Sequence, residues 1–272
     1  MNIQIQDYFT PLLLLGVGLY FTYLGFTSLS KHAKLLDSIL KEKDIYIITN
    51  EFCKCKSITC GRFINFRVKC NLCQIKRVIN FESEKDIYYL LDNLSDSARF
   101  IIHTEGGDTD LANFLPYIMC QNKIDLVSYI PQYALSAGSF IALASSKIFL
   151  SWYGSMGPID TQIDYSNSSD DEEEIDESFP AKHIKEITSK KNALTKLRSM
   201  EANSYHIDDL FLLKSIFKKK RKRDKIIKHF LNTENSHSIR YGPKDLRSFG
   251  LNVIIGIPDH IDEIFSIFKK VK

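Results

Sequence analysis

Two short segments carry residue types that could do chemistry together. In Ala134-Leu135-Ser136-Ala137-Gly138-Ser139, a serine flanked by small residues stands where a helix begins. Its hydroxyl can face a crevice, and the amide of Ala137 can point the same way. In His103-Thr104-Glu105-Gly106-Gly107-Asp108, paired glycines at a strand-to-helix turn permit unusual dihedrals and a close approach of backbone N–H groups to a ligand. Hydroxyl attack on a carbonyl needs an exposed nucleophile, and the negative oxygen it creates needs preorganised donors. Taken singly, a glycine pair is usually a turn and a serine before a helix is usually a cap. In consecutive strand–helix units of a parallel sheet, both segments fall at carboxyl ends of strands, where one crevice can hold them.

The elements that must position these turns follow from periodicity. Lys31–Lys43 has apolar residues at helical spacing. Asp44–Phe52 and Arg77–Phe81 have the β-branched runs of strands, and a helix is expected over Glu82–Leu94. Arg99–His103 reads as a buried strand ending at Gly106-Gly107, with a helix over Asp108–Cys120. Asp125–Ile130, a helix from Ser136 to Ser145 and a strand over Lys147–Leu150 complete a β-α-β-α-β order, which predicts a parallel sheet. Residues 166–178 are too polar and acidic to pack and read as an exposed loop. Helices are predicted over His183–Met200, Asp208–His229 and Lys244–Phe249, the last stopped by Gly250. A strand over Asn252–Ile255 and an amphipathic helix over Asp262–Lys269 close the chain.

A second group with chemical potential is the cysteines. Five of the six, Cys53, Cys55, Cys60, Cys70 and Cys73, cluster with C-x-C and C-x-x-C spacings that suit a tetrahedral structural zinc site. Phe63, Phe66 and Val68 between them read as a hairpin that brings the pairs together, while the plainer reading makes these cysteines small buried hydrophobes. With no histidine in the cluster, a metal there is structural and takes no part in catalysis.

Bulk properties bound the partners. The 272 residues suit one large domain with accessories; they are 44% hydrophobic and 25% charged, the mixture of a folded chain. A net charge of +3 from 36 basic and 33 acidic residues argues against nucleic acid as the main partner. Tyr8 to Ser30 holds no charged side chain, and at about 1.5 Å per residue it can span a hydrocarbon core of about 30 Å. Asp7 before it and Lys31, His32 and Lys34 after it oppose a cleavable signal peptide. The expectation is a single-pass anchor over residues 1–30, a linker helix over 31–43 and a domain over 44–272, with a cysteine-rich insertion at 53–73 and an acidic loop at 166–178. The positive-inside rule leaves that domain in the cytoplasm.

Several motifs in order extend these readings. Ile101-Ile102-His103-Thr104-Glu105-Gly106-Gly107 resembles the strand and H-T-P-G-G turn of the serine dehydrogenase proteinase family, with Glu105 at the proline position. Ile130-Pro131 through Ser139, Leu143-Ala144, Gly157-Pro158-Ile159-Asp160, Phe179-Pro180-Ala181 and Gly250-Leu251-Asn252-Val253 resemble its later elements. That family is similar to signal peptide peptidases and sits in the Clp-protease/crotonase superfamily. The resemblance implies an α/β Clp-protease/crotonase-like fold of repeated β-β-α units with a mainly parallel sheet, behind a transmembrane helix. It implies a membrane-anchored serine peptidase: Ser136 attacks the peptide carbonyl, the amides of Gly106, Gly107 and Ala137 hold the oxyanion, and Lys191, with Lys190 beside it, is the base. Asp160 and His237 are implied as supporting residues. Catalysis then needs no cofactor, the substrate is a protein or peptide, and the chain forms a homo-oligomer on a membrane. Two other readings stand beside it. One is an inactive family member serving as a membrane scaffold or peptide-binding protein. The other is a crotonase-type acyl-CoA enzyme, for which the basic run Lys218–Arg223 is the available phosphate contact.

Overall fold

The strand β1 (Ile45–Thr49) is buried at every position, because both of its faces are covered. Tyr46 and Ile48 face one apolar layer, and Ile45 and Ile47 face the other. In the computed structural model, residues 31–50, 57–60, 64–67, 75–80, 83–107, 109–166, 176–180, 193–231 and 236–271 are described. Around β1 lie β4 (Val78–Asn80) on one side and β5 (Ser97–His103) on the other, followed by β6 (Asp125–Ile130), β8 (Lys147–Leu150) and β12 (Val253–Ile255). They form a six-stranded sheet of order β12-β8-β6-β5-β1-β4 in which every pairing is parallel.

One face of the sheet is closed by α1 (Lys31–Lys43) and α8 (Asp259–Val271). Ala33, Leu36 and Leu40 meet Ile261, Ile264, Phe265 and Phe268 over Ile45, Ile47 and Ile101. Helix α1 is thus packed into the α/β body while also leading back towards the first thirty residues. The opposite face takes α2 (Glu84–Asp92), α3 (Thr109–Gln121), α4 (Ala137–Leu143) and α5 (Ala193–Ile216), with Leu90, Leu115, Phe140 and Leu213 all buried against the sheet. Helix α2 begins conventionally: the Ser83 side chain accepts from the Asp86 amide at 3.4 Å, and Glu84 and Asp86 lie in its first turn.

A second, shorter ladder runs beyond the sheet's carboxyl edge. Thr104, just after β5, bridges to Ala134 of β7 (Tyr133–Ala134). β7 pairs parallel with β9 (Ser155–Met156), and Met156 bridges to Tyr241. Strands β6 and β8 are each followed by a short second strand, and β5 by the single bridging residue Thr104; the mainly parallel α/β sheet agrees with the fold class expected.

Two details depart from expectation. Residues 166–178 do not form a loop throughout: β10 (Gln162–Ser166) and β11 (Asp176–Pro180) pair antiparallel from Gln162↔Pro180 to Ser166↔Asp176, so both ends of the acidic segment are in a ladder. Cross-strand backbone hydrogen bonding needs no apolar side chain, which is why polarity alone misled. The gap expected between helices near residues 201–207 is absent, and α5 runs unbroken from Ala193 to Ile216 because no glycine or proline interrupts it. The break comes instead before α6 (Lys220–Ile226), which passes into a π turn at Ile227–Leu231. As expected, a helix stops at Gly250: α7 (Pro243–Ser248) starts with proline in its first turn and ends before that glycine, whose φ of +90° suits the residue after a helix. A hairpin of β2 (Ser57–Cys60) and β3 (Ile64–Arg67) stands where the cysteine segment suggested one.

The N-terminal span, Tyr8–Ser30, lies outside the described residues; among those described, no helix is long and apolar enough to cross a membrane.

Candidate active site

The two glycine- and serine-bearing turns meet. Thr104 N donates to Tyr133 O at 3.4 Å, and Leu135 N donates to Thr104 O at 3.0 Å, so the chain after β5 and the chain before α4 are joined by their backbones. Thr104, fully buried, also shapes its own turn: its Oγ1 donates to Gly106 O at 2.9 Å and accepts from Gly106 N at 3.1 Å. Gly106 has φ +137°, a conformation that side chains rarely adopt. A Cβ there would stand 2.9 Å from Ser136 Cβ and 3.3 Å from its Oγ, so glycine is required twice, for its dihedral and for the approach of the serine.

Ser136 has φ +47° and ψ −118°, an unusual backbone for a non-glycine residue and one held only by surrounding structure. It occupies the cap position of α4 yet makes no side-chain cap hydrogen bond, so the hydroxyl is not spent on the helix. Ser139, the other serine of the segment, is structural: its Oγ donates to Ala134 O at 2.6 Å and accepts from Gly157 N at 3.0 Å. Ser136 opens on a cavity of about 120 Å³. Gly107 and Ala137 contribute main chain to its wall, and Phe140 and Ile159 contribute apolar surface. Asn113 of α3, Thr161, Gln162 and Asp209 of α5 supply the polar side.

Of the expected site residues, Ser136, Gly106, Gly107 and Ala137 are brought together. The Gly106 N–H already donates to Thr104, which gives Gly106 a steric part, while Gly107 and Ala137 line the cavity. Glu105 is exposed, and its amide donates to Asn50 Oδ1 at 3.2 Å.

Asp160 and His237 are also brought together. His237 Nδ1 lies 2.9 Å from Asp160 Oδ1, and the aspartate side chain is only 5% exposed. Gln162 Nε2 lies 3.0 Å from both Asp160 O and Asp160 Oδ2, and 3.1 Å from His237 Nδ1. The two Nε2 hydrogens of Gln162 suit the two Asp160 oxygens, which leaves the imidazole Nδ1–H to donate to Asp160 Oδ1. The connection from this pair to Ser136 runs through Gln162, which lines the cavity; among the described residues no hydrogen bond joins His237 to Ser136.

Lys190 and Lys191 lie outside the described residues, as do Cys53, Cys55, Cys70 and Cys73; Cys60 ends β2. Among the described residues no group of three or more histidine, cysteine or acidic side chains gathers as a metal site.

Asp209 and Asn113 were not expected at the site. Asp209 is 1% exposed, and its carboxyl is pushed up to about 7, first by burial and then by the neighbouring carboxylates Asp208 and Asp160. The Asn113 amide and the Thr161 hydroxyl, which donates to Oδ2 at 3.3 Å, only partly offset this. The available signal was spacing: Asp209, Leu212 and Leu213 share one helical face, and an aspartate on an apolar face must be buried.

The family described as ClpP-like SDH-type serine proteinase matches this chain over residues 74–271. Among curated proteins, the uncharacterized protein MJ1495 of Methanocaldococcus jannaschii is 40% identical over 63 residues, covering 23% of this chain and 22% of its own. MJ0137 of the same organism is 22% identical over 179 residues, covering 62% of this chain and 58% of its own, so the chain spans less than two thirds of either relative. Among solved structures, a mutant of the 1510-N membrane-bound stomatin-specific protease aligns with a TM-score of 0.42 at 16% identity, over 82% of this chain and 83% of that one. A peptidase from Plasmodium falciparum aligns with a TM-score of 0.41 at 9% identity, over 81% and 100%. With a match that runs through both turns and on to the last helix, the chain belongs to the ClpP-like SDH-type serine proteinases.

Proposed function

We propose that this protein is a membrane-anchored serine endopeptidase that cleaves peptide bonds by acyl transfer through Ser136. The observation that carries the reading is the serine itself: strained into a positive-φ turn, free of any capping bond, and pressed against Gly106 at the mouth of a cavity. Its Oγ attacks the substrate carbonyl as a base takes the hydroxyl proton. The tetrahedral oxyanion accepts from the Gly107 and Ala137 amides, each such donor being worth about 3 kcal/mol in the barrier. Collapse expels the amine, which takes the proton the base had accepted, and water deprotonated by the same base then hydrolyses the ester, returning the proton to Ser136. The uncharged stretch Tyr8–Ser30 supports the anchor, with the catalytic domain on the cytoplasmic side. The family resemblance supports assembly as a homo-oligomer, and the cysteine spacing supports a structural zinc apart from the chemistry.

The resemblance assigns the base to Lys191, with Lys190 as its neighbour. A second reading is favoured by the Asp160–His237 contact: an imidazole whose Nδ1 is held by a buried carboxylate is the His–Asp half of a Ser-His-Asp triad, and a shift of the ring towards Ser136 would complete it.

Both readings are tested by fluorophosphonate labelling of the full-length chain in detergent. Labelling of the wild type but not of Ser136→Ala is expected, and a folded wild type that fails to label would refute the peptidase reading in favour of an inactive scaffold. Lys191→Ala and His237→Ala then separate the bases, since loss of the true base should slow labelling about 10²–10⁴-fold and loss of the other should not.

A further inference from the structure

The acyl-transfer scheme leaves Asp209 unused, although Asp209 lines the same cavity as Ser136. The Asn113 amide and the Thr161 hydroxyl satisfy the Asp209 carboxyl only in part: Oδ1 of Asp209 and Oδ1 of Asn113 are both buried without a hydrogen-bond partner among the described residues. The charged groups that act on Asp209 are themselves carboxylates, Asp208 on the same helix and Asp160 before β10. Asp160 is in turn engaged by His237. Buried acceptors without donors are rare because they forfeit their hydration, and two of them among the described residues suit a ligand that brings donors.

The remaining walls restrict what that ligand can be. Phe140 and Ile159, 2% and 4% exposed, offer an apolar lining beside the carboxyl. The cavity is small, about 120 Å³. That volume accommodates an unbranched chain of about five heavy atoms. An apolar sleeve with a carboxylate and an amide oxygen fits methylenes ending in an ammonium.

We propose that this cavity receives the substrate side chain on the amino side of the scissile bond, and that Asp209 and Asn113 select lysine there. The inference rests on Ser136 being the nucleophile, since that places the cavity next to the reacting carbonyl. Lysine, with three donors on its ammonium, serves both orphan oxygens at once. Arginine is longer and broader than the space, and norleucine fills the sleeve but leaves both acceptors unpaired.

The test has two readouts on the full-length chain. In peptide substrates differing only at that position, lysine should exceed norleucine by about 100-fold in kcat/KM, and Asp209→Asn should bring the ratio to within a few-fold of unity. Asn113→Ala should lower it in part. Independently of turnover, n-butylammonium chloride should bind the wild type but not Asp209→Asn in saturation-transfer NMR, against sodium chloride at equal ionic strength. Melting temperatures of the variants confirm that they fold. An enzyme that labels with fluorophosphonate yet prefers norleucine or an aromatic residue overturns the lysine pocket alone, as does butylammonium binding unaffected by Asp209→Asn. Butylammonium binding that Asp209→Asn abolishes, in a protein that never labels, upholds the cation pocket and overturns the peptidase reading instead.

Discussion

Ser136 differs from an ordinary helix-capping serine in its backbone, and Asp209 differs from an ordinary helical aspartate in its burial. Both place a polar group where folding alone gains nothing from it. For Asp209 the cost is readable as a pH dependence. Its carboxyl has an ordinary value of 3.8 and is raised to about 7 in the folded protein, so between these pH values the folded state binds more protons than the unfolded one. Stability therefore falls as pH rises through that window: the penalty is absent below it and complete above, at an order of magnitude of about 4 kcal/mol. Asp209→Asn should remove the penalty. Denaturant titrations at pH 5 and pH 8 should find the variant more stable than wild type chiefly at pH 8, and a variant no more stable at pH 8 than at pH 5 relative to wild type would contradict the assignment.

At the scale of elements, the site depends on how tightly α4 is laid onto the turn after β5. A Cβ on Gly138 would stand 2.4 Å from Thr104 Cγ2 and 3.5 Å from Ile102 Cγ2. Thr104 cannot retreat, because its Oγ1 is tied to both the amide and the carbonyl of Gly106. Gly138→Ala should thus push the start of α4 away from the glycine turn. The expected cost is about 1–3 kcal/mol, or roughly 2–12 °C in Tm for a chain of this size. Fluorophosphonate labelling should fall more than stability does, since Ser136 and the Ala137 amide move with the helix. Unchanged Tm together with unchanged labelling would show that the close approach is not needed.

For the whole molecule, the α1–α8 layer closes the sheet on the face opposite the cavity. Leu36 and Phe268 are fully buried there. Leu36→Ala should cost about 2–5 kcal/mol and Phe268→Ala about 3–5 kcal/mol, measured as lowered midpoints in urea. Because neither side chain lines the Ser136 cavity, the folded fraction should keep its labelling rate. A midpoint unchanged by either substitution would mean that α1 and α8 are dispensable to the α/β body.

The order and type of the strands and helices around the site were legible in the sequence, since they rest on local pattern: Asp125–Ile130 and Lys147–Leu150 fall where the alternation of strand and helix segments placed them. The motifs at Gly106-Gly107 and Ser136 were legible for the same reason, because a positive φ and a close approach restrict which residues a turn accepts. The partnership of the acidic side chains was not legible. Asp209 and Asn113 are far apart in sequence and meet only where α5 crosses α3, and Asp160 finds His237 through the ladder that pairs Met156 with Tyr241. Local sequence decides what each segment can become. Which carboxylate loses its water, and which finds a partner, is decided by long-range packing, because desolvation depends on every element that closes over the group.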